Sequence, residues 1–465
     1  MSKRFDAIVI GTGQAGPALA TRLAAAGQQV AIIERHRFGG TCVNTGCMPT
    51  KAMVASAHAA HLARRAADFG VRIDGTVQVD MKAVKARKDK VARDASRGVE
   101  HSLRDQPGCT VLQGHARFVS PTAVAVDGQT LEAPRIFINV GGRAVVPDLP
   151  GIDSVRCLTN SSILELDELP RHLVVIGGSY IALEFAQMFR RFGAQVTVLE
   201  KSPRLLGRED EDVSQAIADI LRAEGIVLRT GAQRLRLRPA EGDPASTGGI
   251  VVGLDDAGGA HEVLASHVLL ATGRRPNTDD LGLEAAGVAT DERGYIRVDD
   301  ELRTSVPGIW ALGDCNGRGA FTHTAYNDYE IVADNLLSGA GRRVSDRIDC
   351  YALYTDPPLG RVGLGEAQAR QAGHAVRVAT RPMSRVGRAV EKGETQGFMK
   401  LVVDADTDAI LGAAVLGVGG DEAIHAVIDA MAAGGTALRL QRTMHIHPTV
   451  AELLPTLAGA LQPAA

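Results

Sequence analysis

Residues 5–34, FDAIVIGTGQAGPALATRLAAAGQQVAIIE, open on a run of apolar positions and pass through a glycine-rich turn. Apolar residues at helical spacing follow, then a glycine stop and a second apolar run. The pattern predicts buried strand, turn, amphipathic helix and second buried strand. Residues 172–200, HLVVIGGSYIALEFAQMFRRFGAQVTVLE, repeat it. Gly11 aligns with Gly177, Gly27 with Gly193 and Glu34 with Glu200, at identical spacing. LLATGRRPN (269–277) and TSVPGIWALGDC (304–315) read as strands ending in Thr-Gly and Gly-Asp turns. From residue 344 the pattern changes. Strands such as FMKLVVDAD and AILGAAVLGV surround helices such as EAIHAVIDAMAAG, which predicts a separate α+β unit. AEGDPASTGG (240–249) reads as a surface hairpin loop.

The first turn is Gly11-x-Gly13-x-x-Gly16, set between strand and helix, with Glu34 about 20 residues on. Glycines there let the backbone approach a pyrophosphate, the helix N-terminus supplies N–H donors, and the acid is placed for a ribose hydroxyl. The second turn, Gly177-x-Ser179-x-x-Ala182 with Glu200, replaces two glycines by small residues but keeps the spacing. Two dinucleotide sites in one chain point to electron transfer between two cofactors. Asp314, at a strand's C-terminal end, is placed to bond a flavin nucleotide; capping of the next helix is the alternative.

Composition narrows the function. The chain has 465 residues, enough for two to four domains, with 45% hydrophobic and 23% charged residues. Net charge is −3 without a basic block, and aromatic content is 4%, which together disfavour a nucleic-acid partner. No apolar run is long enough to span a bilayer. The N-terminus runs straight into a strand, so no export signal is read and a cytoplasmic location is expected. In reducing cytoplasm, the close pair Cys42 and Cys47 in GGTCVNTGCMPTK is redox-active or metal-binding rather than structural. Zinc would need two further ligands, and Cys109, Cys157, Cys315 and Cys350 are isolated, reading as small buried apolar residues. CMPTKAMVASAHAAHLA predicts a helix starting near Cys47, whose N-terminus would stabilise a thiolate.

Together these motifs resemble the class I pyridine nucleotide–disulfide oxidoreductases, which include glutathione reductase, dihydrolipoamide dehydrogenase and mercuric reductase. The resemblance covers nearly the whole chain, and GGTCxNxGCxPxK is its most specific element. It implies FAD, with Cys47 as the thiol facing the flavin and Cys42 as the thiol facing the substrate. It also implies that Lys51 pairs with Glu184 near the flavin, that Tyr180 gates the nicotinamide site, and that Thr41, Gly141 and Gly273 contribute to cofactor binding. His447 and Glu452, in HIHPTVAELLPTL, match the family's acid–base pair, which serves the other subunit's disulfide in a homodimer. His445 is the competing imidazole.

The implied fold is α/β: two Rossmann-like dinucleotide-binding domains, for FAD and NAD(P), plus a C-terminal α+β dimerisation domain. The expected division is 1–147 FAD-binding, 148–267 NAD(P)-binding, 268–343 return to the FAD-binding and central part, and 344–465 dimerisation. SYIALEFAQMFRRFG and MSRVGRAVEKGETQGFMKLVVD look closest to the mercuric-reductase-like branch. The ending LAGALQPAA lacks that enzyme's cysteine pair, however, while His447 and Glu452 are present. The expectation is therefore an NAD(P)H-dependent reductase of a small disulfide or thiol-reactive substrate. The alternatives are a mercuric- or copper-type metal-ion reductase and a non-catalytic redox sensor. No membrane partner and no resident metal are expected. Glu200 favours NADH over NADPH, because a carboxylate bonds the 2′-hydroxyl and repels a 2′-phosphate.

Overall fold

The computed structural model describes residues 2–240 and 249–462. The first pattern folds as strand Ala7–Ile10, helix Ala15–Ala25 and strand Val30–Glu34, with both strands buried along their whole length. Full burial on both faces explains why these strands are unbroken apolar runs rather than alternating ones. They belong to a five-stranded parallel sheet ordered Ile309–Ala311, Ile136–Ile138, Ala7–Ile10, Val30–Glu34, Cys109–Gln113. Ile309–Ala311 joins from far along the chain, so the second nucleotide unit is an insertion within the first.

That second unit has its own parallel sheet, ordered Val227–Thr230, Gln195–Glu200, His172–Ile176, His267–Leu270. The repeat is exact in backbone terms: Gly11 N donates to Ile33 O and Gly177 N to Leu199 O, both at 2.8 Å. Strand His267–Leu270 straddles the expected 267/268 boundary and stays paired with His172–Ile176, so this sheet continues through Leu270. Of the predicted loop 240–249 only its ends are described: Ala240 N donates to Gly249 O at 2.8 Å, joining the antiparallel strands Gln233–Pro239 and Ile250–Asp256. The remainder, 241–248, lies outside the described residues.

The C-terminal unit is a five-stranded antiparallel sheet, ordered Cys350–Leu353, Leu359–Gly363, Ile410–Leu416, Phe398–Asp404, Val376–Pro382. Val427, Leu440, Leu454 and Leu457 from short helices pack on Met399, Leu401 and Val415 of the sheet. The three units meet at a partly buried ion cluster centred on Arg191. Asp356 bonds His58 Nδ1 at 2.7 Å and Arg191, and Arg191 Nη2 reaches Glu224 Oε1 at 2.7 Å. Gln187 accepts from Asp356 N at 2.7 Å. The cluster fixes helix Cys47–Arg64, helix Tyr180–Phe192 and the C-terminal sheet relative to one another.

Candidate active site

At the end of strand Ala7–Ile10 the glycine turn leaves no room for side chains. A Cβ on Gly11 would lie 2.2 Å from Asn139 O, and one on Gly16 2.2 Å from Gly11 O. One on Gly13 would lie 3.0 Å from Asn139 Oδ1. Asn139 locks the turn by accepting from Gly16 N at 3.0 Å and donating to Leu312 O at 3.1 Å. Helix Ala15–Ala25 has no acid in its first turn, and with Gly16 N held by Asn139 and Pro17 lacking an N–H, the turn's backbone and the positive end of the helix dipole face the cavity. This bare, electropositive cradle fits a dinucleotide pyrophosphate.

The cradle opens into a cavity of about 1150 Å³ lined by Glu34, Thr41, Cys42, Cys47, Lys51, Gly141, Tyr180, Glu184 and Asp314. Glu34 Oε2 accepts from Thr12 N and Oγ1 at 3.1 and 2.6 Å, and Oε1 accepts from His36 N at 2.8 Å. These bonds hold its carboxylate at the cavity wall. Asp314 sits on the 3₁₀ turn Gly313–Asn316, and the next α-helix begins only at Thr322, so it caps no α-helix. Burial pushes its carboxyl up, opposed by Arg274, whose Nη2 lies 3.5 Å away.

Helix Gly40–Asn44 carries Cys42, and Cys47 is the first residue of helix Cys47–Arg64. Gly46 makes the tight connection, since a Cβ there would lie 2.8 Å from Thr41 O. Both cysteines are free thiols; Cys42 is half-buried and Cys47 exposed to the cavity. The pair is electrostatically split. Cys47 is lowered to about 6, chiefly by its hydrogen bond with Cys42; burial opposes this, while Thr322 and Lys51 add to it. Thr322 Oγ1 is 3.3 Å from Cys47 Sγ. Cys42 is pushed up by the same hydrogen bond and by burial. One sulfur thus holds the negative charge and the other the proton.

Lys51 Nζ lies 2.7 Å from Glu184 Oε2 and 4.5 Å above the Tyr354 ring. Glu184 is 4% exposed, and its Oε1 accepts from Tyr354 N at 3.0 Å. Tyr180 opens helix Tyr180–Phe192 with its ring 5.6 Å from Phe321, and burial pushes its phenol up. Sequence reasoning missed Asn139, Phe321, Thr322 and Tyr354. Asn139 had a signal, a polar residue directly after the apolar run Ile136–Ile138. Thr322 had none, standing 275 positions from Cys47.

The second turn lies outside the lining of this cavity. Gly177 has φ +121°, and a Cβ there would lie 2.4 Å from Ala271 O. Ala182 is fully buried, and Ser179 precedes the helix without capping it through its side chain. The glycine that sequence reasoning passed over is Gly178, where a Cβ would lie 2.8 Å from Glu200 Oε2. Glu200 Oε1 accepts from Ser202 N at 2.7 Å, and among the described residues no hydrogen bond reaches Oε2. Lys201 and Arg208 are exposed. Arg204 is half-buried, with its Nη2 3.3 Å from Gly207 O. Gly273 has φ +122° with open space around it.

His447 Nδ1 bonds Glu452 Oε2 at 2.8 Å, which turns Nε2 away from the carboxylate. Neither residue lines the cavity with the cysteines. The imidazole is 80% exposed, and its neighbours Met444 and Ile446 are 96% and 80% exposed, an unusual position for large apolar side chains. Among the described residues no group of three or more His, Cys, Asp or Glu is arranged to hold a metal ion. Of the four isolated cysteines only Cys315 is buried; Cys109, Cys157 and Cys350 are half-buried, because their strands lie at sheet edges or their segments border solvent.

A glycine-cradled dinucleotide site opening onto a split cysteine pair is the arrangement of a flavoprotein oxidoreductase. The chain belongs to the pyridine nucleotide-disulphide oxidoreductases: that family's sequence profile matches residues 5–328, and the profile of its dimerisation domain matches 350–458. Members of the family depend on FAD and take electrons from NAD(P)H, and this chain is an enzyme acting on sulfur groups. The probable pyridine nucleotide-disulfide oxidoreductase RclA of Escherichia coli is 38% identical over 462 residues, covering 98% of each chain. A mercuric reductase of Streptomyces lividans is 38% identical over 460 residues, covering 98% of this chain and 95% of that one. The Cu(II) complex of the HOCl-induced flavoprotein disulfide reductase RclA from Escherichia coli superposes with TM-score 0.88 at 36% identity, covering 99% of each chain. No described helix is long and apolar enough to cross a membrane.

Proposed function

We propose that this protein is a homodimeric, cytoplasmic reductase that spends NAD(P)H on a small disulfide or thiol-reactive compound through Cys42 and Cys47. The observation that carries the reading is geometric: Cys42 and Cys47, on two helices joined at Gly46, share one cavity with the glycine cradle, with Thr322 Oγ1 3.3 Å from Cys47 Sγ; the lowering of Cys47 and raising of Cys42 agree with it. FAD would lie with its pyrophosphate on Gly11, Gly13 and Gly16, its ribose toward Glu34, and its far end toward Thr41, Lys51, Gly141, Asp314 and Cys47. When bound, it supplies the two-electron relay between nicotinamide and the dithiol. NAD(P)H would lie on Gly177, Ser179, Ala182, Glu200 and Gly273, with Tyr180 and Glu184 at the nicotinamide end. The proposed division of labour follows the sheets, with FAD-binding segments on both sides of the inserted NAD(P)-binding unit and residues 344–465 forming the dimer.

The reaction balances as NAD(P)H + H⁺ + RSSR giving NAD(P)⁺ + 2 RSH. Cys42 keeps its proton in the resting pair, so it needs a base, and His447 from a second copy of the chain would take that proton. The Cys42 thiolate attacks one substrate sulfur, forming a mixed disulfide, and the departing thiolate receives the proton from His447. Cys47 then attacks Cys42, restoring the disulfide and releasing the second thiolate, which takes the solution H⁺ that the overall equation consumes. Glu452 orients the imidazole and stabilises its charged form, as a triad carboxylate does. The exposed apolar residues around His447 support a surface that a second copy covers.

A metal-ion reductase is the second reading, favoured by the mercuric reductase relative and by the Cu(II) complex of the RclA structure. The deciding experiment is NADH oxidation by the purified holoenzyme against a panel of low-molecular-weight disulfides, Hg(II) and Cu(II). Each acceptor is assayed with wild type, Cys42→Ser and Cys47→Ser. Disulfide turnover abolished by either substitution supports the proposal. Sustained Hg(II) or Cu(II) turnover with no disulfide turnover replaces it by the second reading. For the nucleotide, Glu200 with its free Oε2 favours NADH; a ten-fold or greater kcat/KM preference for NADPH would overturn that choice.

A further inference from the structure

One buried carboxylate is linked through intermediate residues to both ends of the proposed NAD(P)H site. Glu209 is 5% exposed and closes the loop that begins at Glu200. Within that loop Glu209 N donates to Leu206 O at 2.8 Å, and Leu206 N donates to Gly178 O at 3.0 Å. Ser214 Oγ donates to Leu205 O at 2.7 Å. The backbone of the adenosine-end turn is therefore seated on a segment whose anchor is Glu209. The anchor itself is held by the C-terminal sheet. Arg361, 5% exposed, presents Nε to Glu209 Oε2 at 3.1 Å, and its Nη1 donates to Val362 O and Ala413 O at 2.8 and 3.0 Å. Next to it, Lys400 Nζ pairs with Asp210 at 3.1 Å and Asp212 at 2.9 Å.

The other oxygen of Glu209 accepts the Tyr351 hydroxyl. The Tyr351 ring lies parallel to Phe321 with centroids 5.5 Å apart, and Phe321 packs at 5.6 Å against Tyr180. Tyr351, Phe321, Tyr180 and Arg361 all line the cavity. The stack runs from the gate aromatic at the nicotinamide end to the carboxylate that seats the adenosine-end loop.

We propose that Tyr351 is a positioning residue for hydride transfer, holding Phe321 and Tyr180 in register with the nucleotide loop through Glu209 and Arg361. This rests on the NAD(P)H site proposed above. The C-terminal unit thereby acts on the reductive half-reaction within its own chain, separately from any part it plays in the disulfide half-reaction. The Tyr351 hydroxyl bonds Glu209 and, among the described residues, neither sulfur, so its removal separates the two halves of the cycle in a test.

The test uses the FAD-loaded enzyme and its Tyr351→Phe and Tyr351→Leu variants. Rapid mixing with NADH, and separately NADPH, gives the rate of flavin bleaching at saturation and the apparent Kd. Enzyme reduced with one equivalent of dithionite is then mixed with 5,5′-dithiobis(2-nitrobenzoate), a disulfide probe, to give the rate of thiol oxidation. Tyr351→Phe keeps the ring and loses only the bond to Glu209. It is expected to slow bleaching about 3- to 10-fold and, by leaving a buried Glu209 oxygen without its donor, to lower the unfolding midpoint, while thiol oxidation in the folded enzyme stays unchanged. Tyr351→Leu, which also removes the stack, should be slower in bleaching alone. Unchanged bleaching in Tyr351→Phe, or equal slowing of both half-reactions, overturns the inference. Wild type that neither nucleotide bleaches would instead sink the NAD(P)H reading on which it rests.

Discussion

The charge on Cys47 can be taken apart one donor at a time. Its thiol is lowered to about 6 by a hydrogen bond from Cys42, with Thr322 next among the lowering groups and burial opposing both. A hydrogen bond to a charged group is worth ~1.5–3 kcal/mol, and one pKa unit is ~1.36 kcal/mol. Because Cys47 faces the open cavity and the Thr322 Oγ1 contact is 3.3 Å, the lower end of that range applies. Removing Thr322's hydroxyl should then raise Cys47 by about one unit. Cys42→Ser keeps a donor on Cys47 and leaves it a free thiol, so in holoenzyme of that variant with oxidised flavin the long-wavelength thiolate–flavin band should appear as pH rises through about 6 and vanish below it. Adding Thr322→Val should move the midpoint to about 7. Cys42→Ala, which removes the largest contribution, should move it further. The assay is absorbance against pH on anaerobic protein with FAD content checked at each point. A midpoint near 9 in Cys42→Ser, or one that Thr322→Val does not move, would refute this account of the pair.

Other outcomes follow from single contacts. His447→Ala should leave flavin reduction by NAD(P)H intact and slow the dithiol–substrate half-reaction by ~10²–10⁴-fold, with His445→Ala far milder; equal losses would show that His447 has no special role. Gly16→Ala, whose new Cβ would sit 2.2 Å from Gly11 O, should yield protein without bound flavin, while Gly98→Ala, in a helix with open space around it, should stay flavin-loaded; flavin retained by Gly16→Ala would disprove the cradle. Asp356→Ala leaves the buried Arg191 with Glu224 alone and should destabilise by ~3 kcal/mol, read from the denaturant midpoint at constant m-value. His58 is raised by its bond to Asp356, so its contribution is full below its unfolded pKa and fades as pH rises through the folded one; a His58→Leu penalty that grew with pH would contradict this.

What the chain declares locally and what it leaves to packing divide along a physical line. Glycine turns, their registration with Glu34 and Glu200, and the placing of Cys47 at a helix start depend on spacings of a few residues, and local sterics alone fix them. Gly11 and Gly177 needed φ of +103° and +121°, a demand visible in the residue type itself. The His447–Glu452 pair is equally local, five positions apart. Nothing local could place Thr322 at Cys47, Tyr354 over Lys51, or Asn139 against Gly16, because each contact joins residues more than a hundred positions apart: Asn139 arrives through the pairing of strand Ile136–Ile138 with Ala7–Ile10, Thr322 through the packing of helix Thr322–Ser338, and Tyr354 from the C-terminal unit. The same holds for the edge of the second sheet, where a parallel ladder keeps Leu270 with a strand almost a hundred residues earlier. Sequence spacing thus determined which chemistry this protein carries and placed the thiolate at Cys47. Only the tertiary structure brought Thr322 to Cys47, where its hydroxyl adds to the lowering that the neighbouring Cys42 already gives, because that contact is made by long-range packing.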